Sequence, residues 1–135
     1  MSRLVLIVED SEACAETLQI ALETLPGVET RVVKSACAAI VALRDPAEQV
    51  AALVTDLNMN RAANFHREAG CLDGFDLIRQ LRSEPRFRHL PILLISGDSD
   101  PRLPSRALQL GADAFFAKPY SPAEVRRKLE QLLCT

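Results

Sequence analysis

Three carboxylates, a hydroxyl and an ammonium stand out in this sequence, because each comes directly at the end of an apolar run. Glu9 and Asp10 follow the run that begins at Arg3, and Asp56 ends the run from Val50. Ser96 ends the run from Pro91, and Lys118 follows the stretch Ala112 to Ala117. If these runs are strands of one parallel sheet, the side chains converge on one edge, where ligands of open α/β sheets bind. Three carboxylates brought together repel and require a cation. A hard oxygen site with few protein ligands suits Mg²⁺, which keeps coordination positions open for phosphate oxygens. A nearby lysine adds a mobile positive charge for the same phosphate. A carboxylate between metal and lysine can act as nucleophile in phosphoryl transfer and become an acyl phosphate. A single polar residue at a strand end means little, since strands end in loops. The recurrence at four of five strand ends carries the inference.

The elements that must position these groups are readable from the pattern. Short β-branched apolar runs suit strands buried on both faces. Asp10-Ser11 supplies an N-cap for a helix carried by Ala13, Leu18, Leu22 and Leu25, which Pro26-Gly27 stops. Val28 to Lys34 is strand-like, and Ser35 caps an Ala-rich helix to about Arg44. After the strand ending at Asp56, residues 57–73 lack clean apolar periodicity. Phe75, Ile78 and Leu81 then carry a helix over 74–83. Pro101 and Pro104 delay the next helix until around or after Asp100, and Gly111 closes it. A strand over 112–117 breaks at Lys118-Pro119, and Ser121-Pro122 opens a last helix through Leu133. Five strand–helix repeats imply a five-stranded, doubly wound parallel sheet with right-handed crossovers. No linker or repeat divides residues 1–135, so a single domain is expected, with nothing left over for an output domain.

Composition sets the class. With 135 residues, 48% hydrophobic and 25% charged, the chain resembles an ordinary globular domain rather than a disordered or fibrous one. A net charge of −2 gives no electrostatic reason to expect direct nucleic-acid binding or an anionic membrane surface. No apolar run approaches a bilayer span, and no signal-peptide pattern opens the chain. Cys14, Cys37, Cys71 and Cys134 are scattered without metal-binding spacing, which fits reduced thiols in a cytoplasmic protein.

Taken together, Glu9-Asp10, Asp56-Leu-Asn58-Met59, Asp73-Gly74, Ser96-Gly97 and Lys118-Pro119 resemble the receiver domain of two-component response regulators, in order and over the whole chain. The resemblance implies the flavodoxin-like (βα)5 fold with strand order 2-1-3-4-5. It implies Asp56 as the phosphoacceptor, and Glu9, Asp10, Asp56 and Asn58 as the Mg²⁺ site, with Asp10 the more direct ligand. It also implies Ser96 as the switch hydroxyl, Phe115 as the switch aromatic and Lys118 as the phosphate-binding lysine. Gly97 leaves room for the phosphoryl group, and Asn58 and Asp98 lie where the family tunes phosphate lifetime. A phosphoryl group on Asp56 would draw Ser96 inward and let Phe115 turn, altering the last helix–strand–helix face. Plainer readings stand beside these: Asp10 as a cap, Phe115 as core, Asn58 and Asp98 as polar loop residues.

The implied phosphodonor is a sensor histidine kinase or phosphotransfer protein. The downstream target or attached output domain is unspecified, and a homodimer through the last helix–strand–helix face is compatible with the pattern. A receiver-like scaffold that is never phosphorylated is the alternative, opposed by the competent residue at every key position. A true enzyme fits less well. The first turn lacks glycines for a diphosphate, and Asn58 stands where an aspartyl phosphatase would need a second carboxylate. One departure from the family is an insertion of ten residues: Asp73-Gly74 follows Asp56 by seventeen and eighteen positions. The extra segment, residues 60–72, holds Phe65, His66 and Cys71, and reads as a surface loop or a partner-recognition element.

Overall fold

The computed structural model describes residues 3–57 and 73–134. Five strands, β1 (Arg3–Val8), β2 (Val28–Val33), β3 (Val50–Asp56), β4 (Ile92–Ser96) and β5 (Ala114–Ala117), pair in parallel in the order β2-β1-β3-β4-β5. Five helices connect or follow them: α1 (Glu12–Leu22), α2 (Ala36–Arg44), α3 (Gly74–Arg82), α4 (Leu103–Leu110) and α5 (Pro122–Leu133). A short 3₁₀ turn, Pro85–Phe87, leads from α3 into β4. No helix among the described residues is long and apolar enough to cross a membrane.

Strand alternation divides the core into two layers. Leu6, Val8, Leu53, Ile92 and Leu94 pack with residues of α2, α3 and α4. Val5, Ile7, Ala52, Val54, Leu93 and Ile95 pack with Leu18 and Leu22 of α1 and Val125 and Leu129 of α5. Both faces of the sheet are therefore covered, which is why the central strands read as continuous apolar runs.

The capping residues act locally as expected. Ser11 accepts from the Cys14 N–H, and Ser35 accepts from the Ala38 N–H. Asp73 and Asp76 form a reciprocal capping box at the start of α3. Two boundaries differ from the sequence reading by more than one residue. Helix α1 ends at Leu22 rather than at Pro26, because the chain turns early so that Leu25 is buried and Gly27 can accept from the Arg3 N–H. Strand β5 begins at Ala114 rather than Ala112: Gly111 adopts φ 114°, and Ala112 still donates to Ala107 at the helix end.

Candidate functional site

Parallel register brings the strand ends side by side. Val8 pairs with Thr55, Asp56 with Ile95, and Ser96 with Ala117. Glu9, Asp56, Ser96 and Lys118 therefore meet at one edge of the sheet. Lys118 Nζ donates to Glu9 Oε1 at 3.1 Å and to Asp56 Oδ2 at 3.3 Å. One carboxylate oxygen from each of Glu9, Asp10 and Asp56 lies within 4.8 Å of the others.

Burial sorts the acid pair. Glu9 is 3% exposed and Asp56 7%, whereas Asp10 is exposed. The Glu9 Oε2 oxygen is buried without a hydrogen-bond partner. Burial pushes the Glu9 carboxyl up to about 7; the neighbouring Asp56 carboxylate acts in the same direction, and Lys118 opposes both. Burial acts to lower the Lys118 pKa, but the attraction of Asp56 and Glu9 outweighs it and holds the ammonium above the usual lysine range. Three carboxylates this close, one with a buried oxygen unsatisfied, are a group that could hold a hard cation. Among the described residues, Lys118 is hydrogen-bonded to two of the three carboxylates, Glu9 and Asp56.

Ser96 is fully buried, and its Oγ accepts from the Asp98 N–H at 3.0 Å. Lys118 N–H donates to the Ser96 carbonyl at 2.8 Å, which locks the end of β5 to β4. A Cβ at Gly97 would meet only Lys118 Cδ, at an ordinary 3.7 Å, so glycine leaves space there without being required by close packing. Gly74 is the opposite case. A Cβ there would lie 2.9 Å from the Asp56 carbonyl oxygen, from Leu57 Cα and from Leu94 Cδ1. The start of α3 is thus pressed onto the backbone that carries Asp56, and only glycine permits it.

The two adjacent aromatics are separated by the pleat. Phe115 is half-buried against the α2–α3–α4 layer, and Phe116 packs on the α1–α5 side. Asn58 and the whole 60–72 insertion, with His66 and Cys71, lie outside the described residues. Cys14 and Cys134 are free thiols.

Features the sequence reading passed over also border the site. Ala13, Cys14 and Thr17 of α1 face Lys118, Pro119, Tyr120 and Pro122 across an apolar groove of about 500 Å³. Burial pushes the Tyr120 hydroxyl up to about 12, with the neighbouring Cys14 adding to it. In the β4–α4 loop, Asp98 and Asp100 cap backbone N–H groups two residues on. Alternating Asp residues ahead of a helix are a signal for such turns, which makes this feature legible in retrospect.

Comparison with known proteins agrees with this geometry. Residues 5–130 match the response regulator receiver domain. The chain is 31% identical over 83 residues to chemotaxis protein CheY1 of Helicobacter pylori (strain ATCC 700392 / 26695), covering 62% of this chain and 59% of that protein. It is 39% identical over 61 residues to the transcriptional regulatory protein GltR of Pseudomonas aeruginosa, covering 45% of this chain and 25% of that one. The aligned part is thus less than two thirds of either relative's length. Among solved structures, a putative response regulator from Chloroflexus aurantiacus J-10-fl superposes with TM-score 0.83 at 26% identity over the full length of both chains. The signal receiver domain of a signal transduction histidine kinase from Syntrophus aciditrophicus gives 0.80 at 31% identity, over 98% of this chain and 91% of that one. A five-stranded sheet in this order, an acid cluster with its lysine at the strand ends, and a family match over nearly the whole chain lead to one statement: the chain belongs to the response regulator receiver domain family.

Proposed function

We propose that residues 1–135 form one receiver domain that works as a phosphorylation switch in the cytoplasm, with Asp56 as the phosphoacceptor. The observation that carries this reading is the bridging of Glu9 and Asp56 by Lys118 beside the exposed Asp10. The donor is a phosphohistidine on a sensor kinase or phosphotransfer protein. An Asp56 carboxylate oxygen attacks phosphorus, the P–N bond breaks, and the departing imidazole carries away the electron pair and takes up a proton. Glu9, Asp10, Asp56 and Asn58 are the residues that would hold Mg²⁺, and Glu9 Oε2, buried and unpartnered, supports that assignment. When bound, the ion supplies positive charge that offsets the crowded carboxylates and the phosphoryl oxygens.

Lys118 then exchanges its carboxylate contacts for a phosphoryl oxygen, and Ser96 offers its hydroxyl to another. Phe115, half-buried beside α4, responds on the α4–β5–α5 face. The apolar groove beside Lys118 supplies a surface on which a phosphodonor protein can seat. The chemistry is self-modification rather than turnover of a separate substrate.

Incubation with acetyl phosphate and Mg²⁺, followed by intact mass measurement, tests the assignment. Wild type gains one phosphoryl group and Asp56→Asn gains none. An equal gain in the variant would remove Asp56 from the mechanism. No gain in wild type, under conditions where beryllofluoride also fails to bind, would favour a scaffold that is never phosphorylated.

A further inference from the structure

Helix α2 is apolar on its outer side as well as its inner one. Of its nine residues only the last, Arg44, is charged. Ala36, Ala39, Ala42 and Leu43 are buried against the sheet. Cys37 and Val41, one turn apart, are exposed, and Ala38 and Ile40 are half-buried beside them. A lone exposed apolar residue is ordinary. Ile20 is such a case, set between the exposed Glu16 and Glu23 on α1, and Leu108 lies between Ser105 and Gln109 on α4. Val41, at 72% exposure, instead continues a stripe with no charge in it until Arg44. A helix that is apolar all round is normally covered on both sides.

Ion pairs frame this stripe at both ends. Lys34 Nζ lies 3.3 Å from Glu12 Oε1 beside the N-terminus of α2, and Arg44 Nη2 lies 3.3 Å from Glu84 Oε2 beside its C-terminus. Each end therefore offers one cation and one anion to whatever covers the helix. Surface pairs of this kind are weak enough to exchange partners. Lys34 and Arg44 stand five positions either side of Ala39. A two-fold axis at the level of Ala39 thus lays two copies of α2 antiparallel with unlike ends together, the arrangement that opposed helix dipoles also favour. Cys37 and Val41 are about 6 Å apart along the axis, so each Val41 then stacks on Cys37 of the other copy. The small Cys37 and Ala38 let the helices approach to about 8 Å. Across the ends, Lys34 meets Glu84 and Arg44 meets Glu12.

We propose that the outer face of α2 is a self-association surface, on which a second copy of this chain seats its own α2 antiparallel, Val41 against Cys37, with ion pairs between copies at both ends. A face one nine-residue helix long falls short of the roughly 1,200 Å² of a stable interface, so the pairing is weak and concentration-dependent. It is separate from the α4–β5–α5 face, because α2 packs beside β2 and β1 whereas β5 is the opposite edge of the sheet. It is also independent of phosphorylation at Asp56.

The test is sedimentation velocity on the full chain, in chelator and thiol reductant, from about 10 μM to about 1 mM. The wild-type sedimentation coefficient should climb toward that of a dimer over this range. Val41→Glu, a change at a solvent-exposed position, puts a charge in the centre of the contact and should weaken association at least about tenfold. Leu108→Glu, on the α4 face, should associate as wild type does. Arg44→Glu should weaken association by setting like charges against Glu12 of the other copy, and adding Glu12→Lys should restore it, because the swapped charges again meet their opposites. This pair of variants decides the matter if Val41→Glu folds poorly, as thermal unfolding would show. A wild type that stays monomeric to about 1 mM would overturn the proposal and leave the face to a different partner. Association lost in Leu108→Glu but kept in Val41→Glu, or no recovery on adding Glu12→Lys to Arg44→Glu, would overturn it too.

Discussion

Gly74→Ala is the substitution whose consequence is set most directly by the packing. Its added methyl would sit 2.9 Å from three heavy atoms, two of them on the backbone of residues 56 and 57. Ordinary contact begins at 3.4 Å, so something must move by about half an ångström, and the end of β3 cannot swing aside like a side chain. Helix α3 must retreat, and with it Phe75, Leu77, Ile78 and Leu81, all buried against the sheet. Overpacking of this kind costs about 1–3 kcal/mol. The loss of unfolded-state freedom on replacing glycine returns about 0.4–1 kcal/mol, since Gly74 is not in a left-handed conformation. The net destabilisation is about 1–2 kcal/mol, or roughly 4–8 °C in Tm for a domain of this size. Gly97→Ala is the internal control: its methyl meets one flexible lysine stem at 3.7 Å, and stability should change by less than about 0.5 kcal/mol. Thermal and urea unfolding of both variants, with acetyl phosphate labelling in parallel, makes the comparison. Labelling should slow in Gly74→Ala because the Asp56 carbonyl is one of the displaced atoms. Equal stability of the two variants would refute the argument from close approach.

The raised Glu9 pKa has a definite sign: the folded state holds a proton that the unfolded state gives up, so metal-free protein loses stability as pH rises from about 4.5 to about 7. Glu9→Gln should flatten that slope and, without metal, be more stable than wild type at about pH 8; urea midpoints in chelator at about pH 5 and about pH 8 check this, and a wild-type midpoint that rises with pH would contradict it. Asp10→Ala should weaken Mg²⁺ binding and abolish labelling while leaving the fold intact or steadier, because one of three crowded carboxylates is gone. A Mg²⁺ titration by amide NMR with unchanged affinity would reduce Asp10 to a loop residue. Shortening residues 60–72 to the family length should alter phosphorylation or dephosphorylation rates, or transfer from the cognate kinase, more than stability. A large fall in the urea midpoint would show that the segment is packed structure.

Local signals in the sequence were enough for the element order and for most of the site's membership. A buried parallel strand must be apolar on both faces, so the first polar residue after each run marks the sheet edge, and this picks out Glu9, Asp56, Ser96 and Lys118 without any coordinates. Caps at Ser11 and Ser35 and the glycine stop at Gly111 are equally local, since each bond spans only a few residues. The tertiary structure decided what depends on register between distant strands. Lys118 reaches Glu9 and Asp56 across sequence separations of 109 and 62 residues, and no periodicity reports which carboxylates it bridges. The same register buries Glu9 and leaves Asp10 in solvent, although the two are neighbours in the chain. It sends Phe115 toward α4 and Phe116 toward α1 and α5, a choice set by one step of the pleat. Gly74 shows in the sequence only as the partner of Asp73 in a motif, and Arg82 looks ordinary as a letter. Their importance arises from a helix end pressed onto β3 and from a carbonyl 29 residues away, because close approach and burial are properties of the packed chain rather than of any segment of it.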